Sequence, residues 1–152
     1  MISNNFQEAL KILAKKFNQN NIKWALIGST NMAFQGIDII PHDLDIVIQF
    51  EDLQEITSLF SEYNPSPINE LSPLNDKPAW EIKLKIHNVE VQILGEKDDG
   101  EYVNKLLGNK IIIKNLDNLK IPCFTLEAEA QTYEETHRPD KAKIIKEFLA
   151  NK

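Results

Sequence analysis

Apolar residues follow two different periods along the chain, and the period separates helices from strands. Near the N-terminus the apolar positions are Phe6, Leu10, Leu13 and Phe17. Their spacing of three or four residues predicts an amphipathic helix. The segment EIKLKIHNVEVQILG instead alternates apolar and polar residues on both sides of His87–Asn88. This alternation predicts a β-hairpin with its turn at those two residues.

The same patterns, with capping and turn residues, give the remaining elements. Thr125 is an expected N-cap and Pro139 an expected first-turn residue of the last two helices. Ser29 or Thr30 is expected to cap a short helix that ends at Gly36. We predict helices over residues 5–19, 29–36, 51–62, 98–107, 125–135 and 139–150. We predict strands over residues 23–28, 43–50 and 110–116, and the hairpin over residues 81–95.

Residues 64–79 show almost no periodicity and contain four prolines, at positions 65, 67, 73 and 78. A long loop of this kind in a compact domain is often a binding loop or an active-site lid. Strands and helices otherwise follow one another without an evident linker. The pattern therefore predicts an α+β fold in which helices cover a small mixed β-sheet and two helices close the chain. We expect one domain over residues 1–152.

Composition narrows the class of protein. The chain has 152 residues, of which 42% are hydrophobic and 26% charged, as in ordinary soluble domains. A net charge of −6 argues against a broad nucleic-acid-binding surface. Cys123 is the only cysteine, which excludes an internal disulfide and a cysteine-based zinc site. With no apolar run of membrane-spanning length and no signal-peptide pattern, we expect a cytoplasmic protein without a membrane partner.

Two acidic residues mark the candidate chemistry. Asp43 and Asp45 stand one residue apart at the head of a predicted buried strand. Side chains alternate along a strand, so both carboxylates are expected on one face, where oxygens converge on a divalent cation such as Mg²⁺ or Mn²⁺. Gly28–Ser29 lies where a strand turns into a helix, a position that favours phosphate. Phosphates at one point and their metal at the other would compensate the two acids.

Each of these signals is weak when it stands alone. A Gly-Ser pair after a strand is usually a turn, and two acids at this spacing are common on protein surfaces. A structural alternative is that basic side chains cap Asp43 and Asp45. The combination of both signals at strand ends favours a phosphate and metal site over that alternative.

The order Gly28-Ser29, short helix, Asp43-x-Asp45 resembles the signature of the nucleotidyltransferase (DNA polymerase β-like) superfamily. The resemblance extends to small stand-alone bacterial and archaeal nucleotidyltransferase-like proteins. Four segments have counterparts there in the same order: WALIGSTNMAFQG, HDLDI, VEVQILG and TLEAEAQTYEETHRPDKAKIIKEFL. The resemblance implies a nucleotidyltransferase fold over nearly the whole chain. It implies much less about the substrate, because this superfamily modifies many kinds of acceptor.

The resemblance also assigns roles to single residues. Gly28, Ser29 and the neighbouring Thr30 would hold the phosphates of a nucleoside triphosphate. Asp43 and Asp45 would bind magnesium. The superfamily's third acid should fall in VEVQILG, where the matching position is Gln92 and the nearest acid is Glu90.

In the C-terminal segment, Arg138 and Lys141 keep the positive charge expected near phosphates. Glu135, however, stands where relatives often carry lysine. Together with Gln92, it departs from the pattern of active enzymes.

We therefore expect a magnesium-dependent nucleotidyltransferase that moves a nucleotidyl group from a nucleoside triphosphate to an unknown acceptor hydroxyl. The alternative is a catalytically weakened nucleotide-binding module that acts as a regulatory or antitoxin-like partner of another protein. Gln92 is the feature that favours this alternative. Trp80 has two possible roles, stacking on a base or anchoring the proline-rich loop.

Overall fold

The structure is a computed structural model that describes residues 2–72 and 77–152. Its helices are α1 (Asn4–Gln19), α2 (Gly28–Phe34), α3 (Leu53–Leu59), α4 (Val103–Leu107), α5 (Leu126–Glu135) and α6 (Pro139–Ala150). Its strands are β1 (Trp24–Ile27), β2 (Leu44–Gln49), β3 (Asn69–Leu71), β4 (Ala79–Ile86), β5 (Val89–Glu96), β6 (Ile111–Leu116) and β7 (Leu119–Phe124). Short 3₁₀ turns, Phe50–Asp52 and Ser61–Tyr63, flank α3.

The seven strands form one mixed sheet in the order β3-β4-β5-β2-β1-β7-β6. Strand β2 lies in the middle, antiparallel to β1 and parallel to β5. The register places Asp45 opposite Ile27 on β1 and opposite Gln92 on β5. The end of β1, the start of β2 and the early part of β5 therefore meet at one edge of the sheet.

The two faces of the sheet are covered by different helices. Leu10, Leu13 and Phe17 of α1 are fully buried against one face, together with residues of α3. The other face presents Ala25, Ile27 and Val47 to the start of α4 and to α5. Helices α2, α5 and α6 share a further apolar cluster around Met32, Tyr133 and Ile145. The α+β class and the mixed sheet covered by helices are as predicted.

Several local predictions were wrong for identifiable reasons. Strand β7 was missed because Pro122 interrupts its sequence pattern, although it pairs with Ile113 in the structure. Strand β3 lies inside the predicted proline-rich loop, and Pro73 of that loop lies outside the described residues. Helix α2 begins at Gly28 and has no side-chain cap, so neither Ser29 nor Thr30 is its N-cap.

Other local predictions hold. Thr125 caps α5, because its hydroxyl accepts a hydrogen bond from the N–H of Ala128 at 3.1 Å. Pro139 occupies the first turn of α6. Trp80 packs on Phe50, with ring centroids 4.1 Å apart, in the apolar cluster under α1, and its strand position is opposite Glu70 of the predicted loop. Among the described helices, none combines the length and apolar character needed to cross a membrane.

Candidate functional site

Gly28 forms a tight corner between β1 and α2. Its φ of +76° lies in the left-handed region that favours glycine. A Cβ atom at this position would lie 2.6 Å from Oδ2 of Asp45, so any other residue here would force the Asp45 carboxylate or the corner to move. The glycine therefore lets the backbone approach the Asp45 carboxylate directly.

A buried carboxylate holds this corner in place. Glu129 of α5 is fully buried, and its Oε1 accepts the N–H of Gly28 at 2.6 Å and Nδ2 of Asn31 at 3.0 Å. Burial raises the pKa of Glu129 to about 8, although both hydrogen bonds oppose the shift. Its other oxygen, Oε2, is buried and has no hydrogen-bond partner among the described residues. Glu129 thus takes the N–H of Gly28, a residue that we had expected to hold phosphates.

Asp43 immediately precedes β2 and is held by its backbone. The Thr30 hydroxyl, which is fully buried, donates a hydrogen bond to the Asp43 carbonyl at 2.6 Å. The Asp43 carboxylate has a long contact with the side-chain amide of Gln92, 3.5 Å from Nε2 to Oδ2. The side chain of Thr30 therefore positions the acidic segment and does not point at a ligand.

Asp45 carries the unusual electrostatics of the site. Its Oδ1 is buried and, within the described part of the chain, accepts no hydrogen bond. Burial, followed by repulsion from Asp43, raises the pKa of Asp45 to about 7, while Arg138 and Lys141 lower it. A buried carboxylate oxygen without a partner is costly unless a cation or donor is supplied from outside the protein.

The two candidates on β5 lie in different surroundings. Gln92 lies directly opposite Asp45 and lines the same cleft. Glu90 lies one row away, exposed, and forms an ion pair with Lys85 at 3.3 Å. The structure therefore brings Gln92 to the aspartates and leaves Glu90 outside the cleft.

Arg138 places a positive charge in the cleft. Its Nη2 donates to the Tyr102 hydroxyl at 3.0 Å, and its guanidinium lies over the Tyr133 ring, 4.7 Å from the centroid. In residues 2–72 and 77–152 it forms no ion pair within 4.0 Å of a carboxylate. A guanidinium fixed by two aromatic residues and left without an acid partner is suited to an incoming anion.

Glu135, the second departure from the superfamily pattern, is compensated. Lys105 of α4 is 5% exposed, and its ammonium lies 2.6 Å from Oε1 of Glu135. A lysine from another helix therefore neutralises the charge of this acidic residue.

Some of these groups line one cleft of about 230 Å³. Its polar lining includes Gly28 at the start of α2, Asp45 of β2, Glu81 of β4, Gln92 of β5 and Arg138 just before α6. Asp43 lies beside Gln92 but is not part of this lining, and neither are Ser29, Thr30 and Lys141. Lys141 acts at a distance, since its charge lowers the pKa of Asp45.

The donor set fits a magnesium ion that arrives with a nucleotide. Among the described residues there is no group of three or more His, Cys, Asp or Glu side chains that would hold a metal alone. Mg²⁺, however, is commonly bound by one or two carboxylates together with substrate phosphates. Asp43 and Asp45, with the partnerless Oδ1, match that smaller donor set.

Sequence reasoning missed two residues of the site. Glu129 lies between apolar positions of α5, and an acid on the buried face of an amphipathic helix is a signal that was available. Glu81 stands at the start of β4, where nothing in its own segment distinguishes it from a surface residue. Only the strand order shows that it reaches the cleft.

Comparisons with known proteins agree with the fold described above. The family model for aminoglycoside-2''-adenylyltransferase matches residues 9–145. No curated protein matches the chain in a sequence search.

Two solved structures share the fold. A Thermotoga maritima protein assigned as a nucleotidyltransferase superposes with a TM-score of 0.76 at 24% identity, over 100% of this chain and 97% of the other. ANT(2'')-Ia, solved with adenylyl-2''-tobramycin, gives 0.56 at 13% identity, over 91% and 86% of the two chains.

Proposed function

We propose that this chain, a member of the aminoglycoside-2''-adenylyltransferase family and so of the nucleotidyltransferase superfamily, binds a nucleoside triphosphate with Mg²⁺ and transfers its nucleotidyl group to an acceptor hydroxyl. Family membership supports nucleotidyl transfer in general. One observation carries the finer proposal: the buried, partnerless Oδ1 of Asp45 beside the Gly28 corner. A metal–triphosphate complex would supply a cation to this Asp45 oxygen and place phosphates beside the Gly28 corner.

Each residue has a distinct part in binding. The N–H groups of Ser29 and Thr30 lie next to the Gly28 corner in the first turn of α2, where they have no intrahelical partner, and they would donate to phosphate oxygens. Arg138, fixed on Tyr133, faces the same cleft and would neutralise phosphate charge. Lys141 adds a longer-range attraction.

Asp43 and Asp45, which flank the first residue of β2, would hold the metal ion between their carboxylates. Bound there, Mg²⁺ would neutralise the triphosphate and stabilise the attacking and leaving oxygens during in-line displacement. The amide oxygen of Gln92 remains an acceptor but carries no charge. We therefore expect nucleotide binding to be retained and turnover to be slow.

A second candidate function follows from the same residue. If Gln92 removes too much of the catalytic charge, the protein would act as a nucleotide-binding module that regulates a partner. Both functions require the same nucleotide site, and they differ in whether pyrophosphate is released.

A melting-temperature screen tests the nucleotide site. Each of ATP, GTP, CTP and UTP is added with Mg²⁺ and, separately, with a chelator. A ligand at 100 times its dissociation constant stabilises the native state by about 2.7 kcal/mol. For a domain of this length, that corresponds to a rise of very roughly 5–10 °C in melting temperature.

The matched variants are Asp45→Asn in the cleft and Asp38→Asn, an exposed aspartate on the connection between α2 and β2. We expect the magnesium-dependent rise to disappear in the first and persist in the second. If no triphosphate at millimolar concentration shifts the melt of the native protein, the site assignment fails. The release of pyrophosphate from the stabilising nucleotide then separates the enzyme from the binding module.

A further inference from the structure

The cleft contains an acid that has no structural task. Four acidic side chains line it: Asp45, Glu81, Glu96 and Glu101. Glu96 accepts the backbone N–H groups of Tyr102 and Val103 at 2.9 and 3.0 Å, and so shapes the start of α4. Glu101 pairs with Lys77 at 3.1 Å. With Asp45 assigned to the metal, Glu81 remains.

Glu81 is half-enclosed and weakly held. Its side chain is 15% exposed, and within the described part of the chain its one ion-pair partner is Lys83, at 3.5 Å. Lys83 is 54% exposed, so solvent screens this pair and it constrains Glu81 little. Glu81 also acts on the metal site, because its charge is among those that raise the pKa of Asp45, after burial and Asp43.

The strand order places Glu81 on the side from which an acceptor must approach. Strand β4 lies on one side of β5 and β2, and β1 lies on the other. Phosphates at the end of β1 put the leaving pyrophosphate on the Gly28 side of the cleft. In-line displacement brings the nucleophile from the opposite side. That side is formed by β4 and β5, where Glu81 lies opposite Leu94.

We propose that Glu81 is the general base that accepts the proton of the acceptor hydroxyl. This assignment rests on the proposed function. In this assignment, two residues replace the superfamily's third acid. Gln92 occupies its position opposite Asp45, and Glu81 on the neighbouring strand β4 accepts the proton. The superfamily pattern does not point to this residue, because Glu81 lies on a different strand from VEVQILG.

The step is balanced as follows. The acceptor O–H bond breaks, and its proton passes to a carboxylate oxygen of Glu81. The oxygen's electron pair forms a bond to the α-phosphorus of the nucleoside triphosphate. The bond from that phosphorus to the bridging oxygen breaks, and pyrophosphate leaves with the electron pair. The products are the nucleotidylated acceptor, pyrophosphate and a protonated Glu81, which then returns its proton to water.

The hairpin provides a matched pair of variants for the test. Glu81 and Glu90 each form one ion pair with a lysine of β4, at 3.5 and 3.3 Å, but only Glu81 lines the cleft. The native protein, Glu81→Gln and Glu90→Gln are compared with ATP and Mg²⁺, using water and tobramycin as acceptor probes. Pyrophosphate release measures turnover, and calorimetric titration measures ATP affinity.

We expect Glu81→Gln to lower the rate at saturating ATP about 10²- to 10⁴-fold, the usual effect of losing a general base. Its ATP affinity should stay within about threefold of native, and Glu90→Gln should match the native protein in both measurements. A second variant, Glu81→Ala, is assayed with added formate. A small carboxylate that restores part of the rate shows that the missing group accepts a proton, which a structural role does not predict.

The outcomes separate the two proposals. If Glu81→Gln turns over like the native protein, or if formate does not rescue Glu81→Ala, Glu81 is not the base. A native protein that binds ATP but releases no pyrophosphate with either acceptor also overturns the assignment of Glu81, while the nucleotide site stands. A native protein that does not bind ATP at all overturns the proposed function itself.

Discussion

The two faces of the central sheet are built from the same strands, yet they differ in whether their buried polar atoms have hydrogen-bond partners. The face under α1 is apolar, and residues such as Leu13, Ile46 and Phe60 have no exposed surface. The face under α5 holds two carboxyl groups, the half-buried Asp45 and the fully buried Glu129, each with one buried oxygen that has no hydrogen-bond partner among the described residues. Among the described residues, the first face leaves no such oxygen, and the second leaves two.

Because of this difference, we expect one face to determine the stability of the fold and the other to determine ligand binding. Packing against α1 contributes apolar burial, which stabilises the fold without depending on pH or ligand. On the cleft face, the Asp45 and Glu129 carboxylates are removed from water at a cost in free energy, which a bound cation or a proton would reduce. Variants on the two faces should therefore affect different measurements.

The largest expected effect is on the cleft face. Asp45→Asn removes one of two metal-binding carboxylates and should weaken magnesium-dependent ATP binding more than about 100-fold. Without ligand, the variant should be at least as stable as the native protein at pH 8, because a buried charge is gone. Titration calorimetry and thermal melts check the two parts. An apo variant destabilised by several kcal/mol would instead indicate a structural ion pair.

The opposite face should show the reverse behaviour. Leu13→Ala removes a fully buried side chain from α1 and should lower the free energy of unfolding by about 2–5 kcal/mol. Denaturant titration measures this loss. The ATP affinity of the folded variant should equal that of the native protein. A parallel loss of affinity would show that the two faces are coupled.

A smaller effect is expected from pH. The pKa of Glu129 is raised by burial from 4.5 to about 8, so the native state holds its proton more tightly than the unfolded chain. Stability is then fully present below about pH 4.5 and is lost as the pH rises towards 8, by a few kcal/mol at most. Asp45 contributes in the same direction.

Metal-free melts between pH 5 and 8.5 test this dependence. Glu129→Gln keeps the oxygen that accepts the Gly28 N–H and should make the melting temperature less dependent on pH. Glu127→Gln, an exposed position on the same helix, should leave the native dependence unchanged. Equal pH profiles for all three proteins would show that Glu129 is not the group responsible.

The smallest expected effect comes from adding charge to the cleft. Gln92→Glu places a carboxylate opposite Asp45 and should raise Mn²⁺ affinity several-fold, because it adds a charged oxygen ligand. The same change should lower the melting temperature of the metal-free protein through repulsion. Gln54→Glu, on the exposed side of α3, is the control. No gain in Mn²⁺ affinity would place the metal away from β5.

Much of the fold could be predicted because its signals are local. The helical period of α1 and the alternation of the β4–β5 hairpin depend on neighbours in sequence. Strand β7 contradicts such a local rule, since Pro122 lies inside it, and its pairing with β1 and β6 arises only in the tertiary structure. Strand β3 is three residues long and is defined by β4 alone.

The site, too, could be predicted only where its residues are close together in the sequence. Gly28, Asp43 and Asp45 lie within one short stretch, and their spacing was informative. Glu129 and Glu81 reach the cleft from α5 and β4, and only the strand order and helix packing bring them there. The partner of Glu135 illustrates the same limit, because Lys105 is thirty residues away in sequence.

The most direct test of the central claim is a crystal structure with a non-hydrolysable ATP analogue and Mn²⁺, with data collected at the manganese absorption edge. We predict an anomalous peak for a manganese ion coordinated by the carboxylates of Asp43 and Asp45, including Oδ1 of Asp45. The triphosphate should lie beside the Gly28 corner and near Arg138. A triphosphate bound elsewhere, or a cleft with ordered nucleotide and no manganese peak at the two aspartates, would contradict the account.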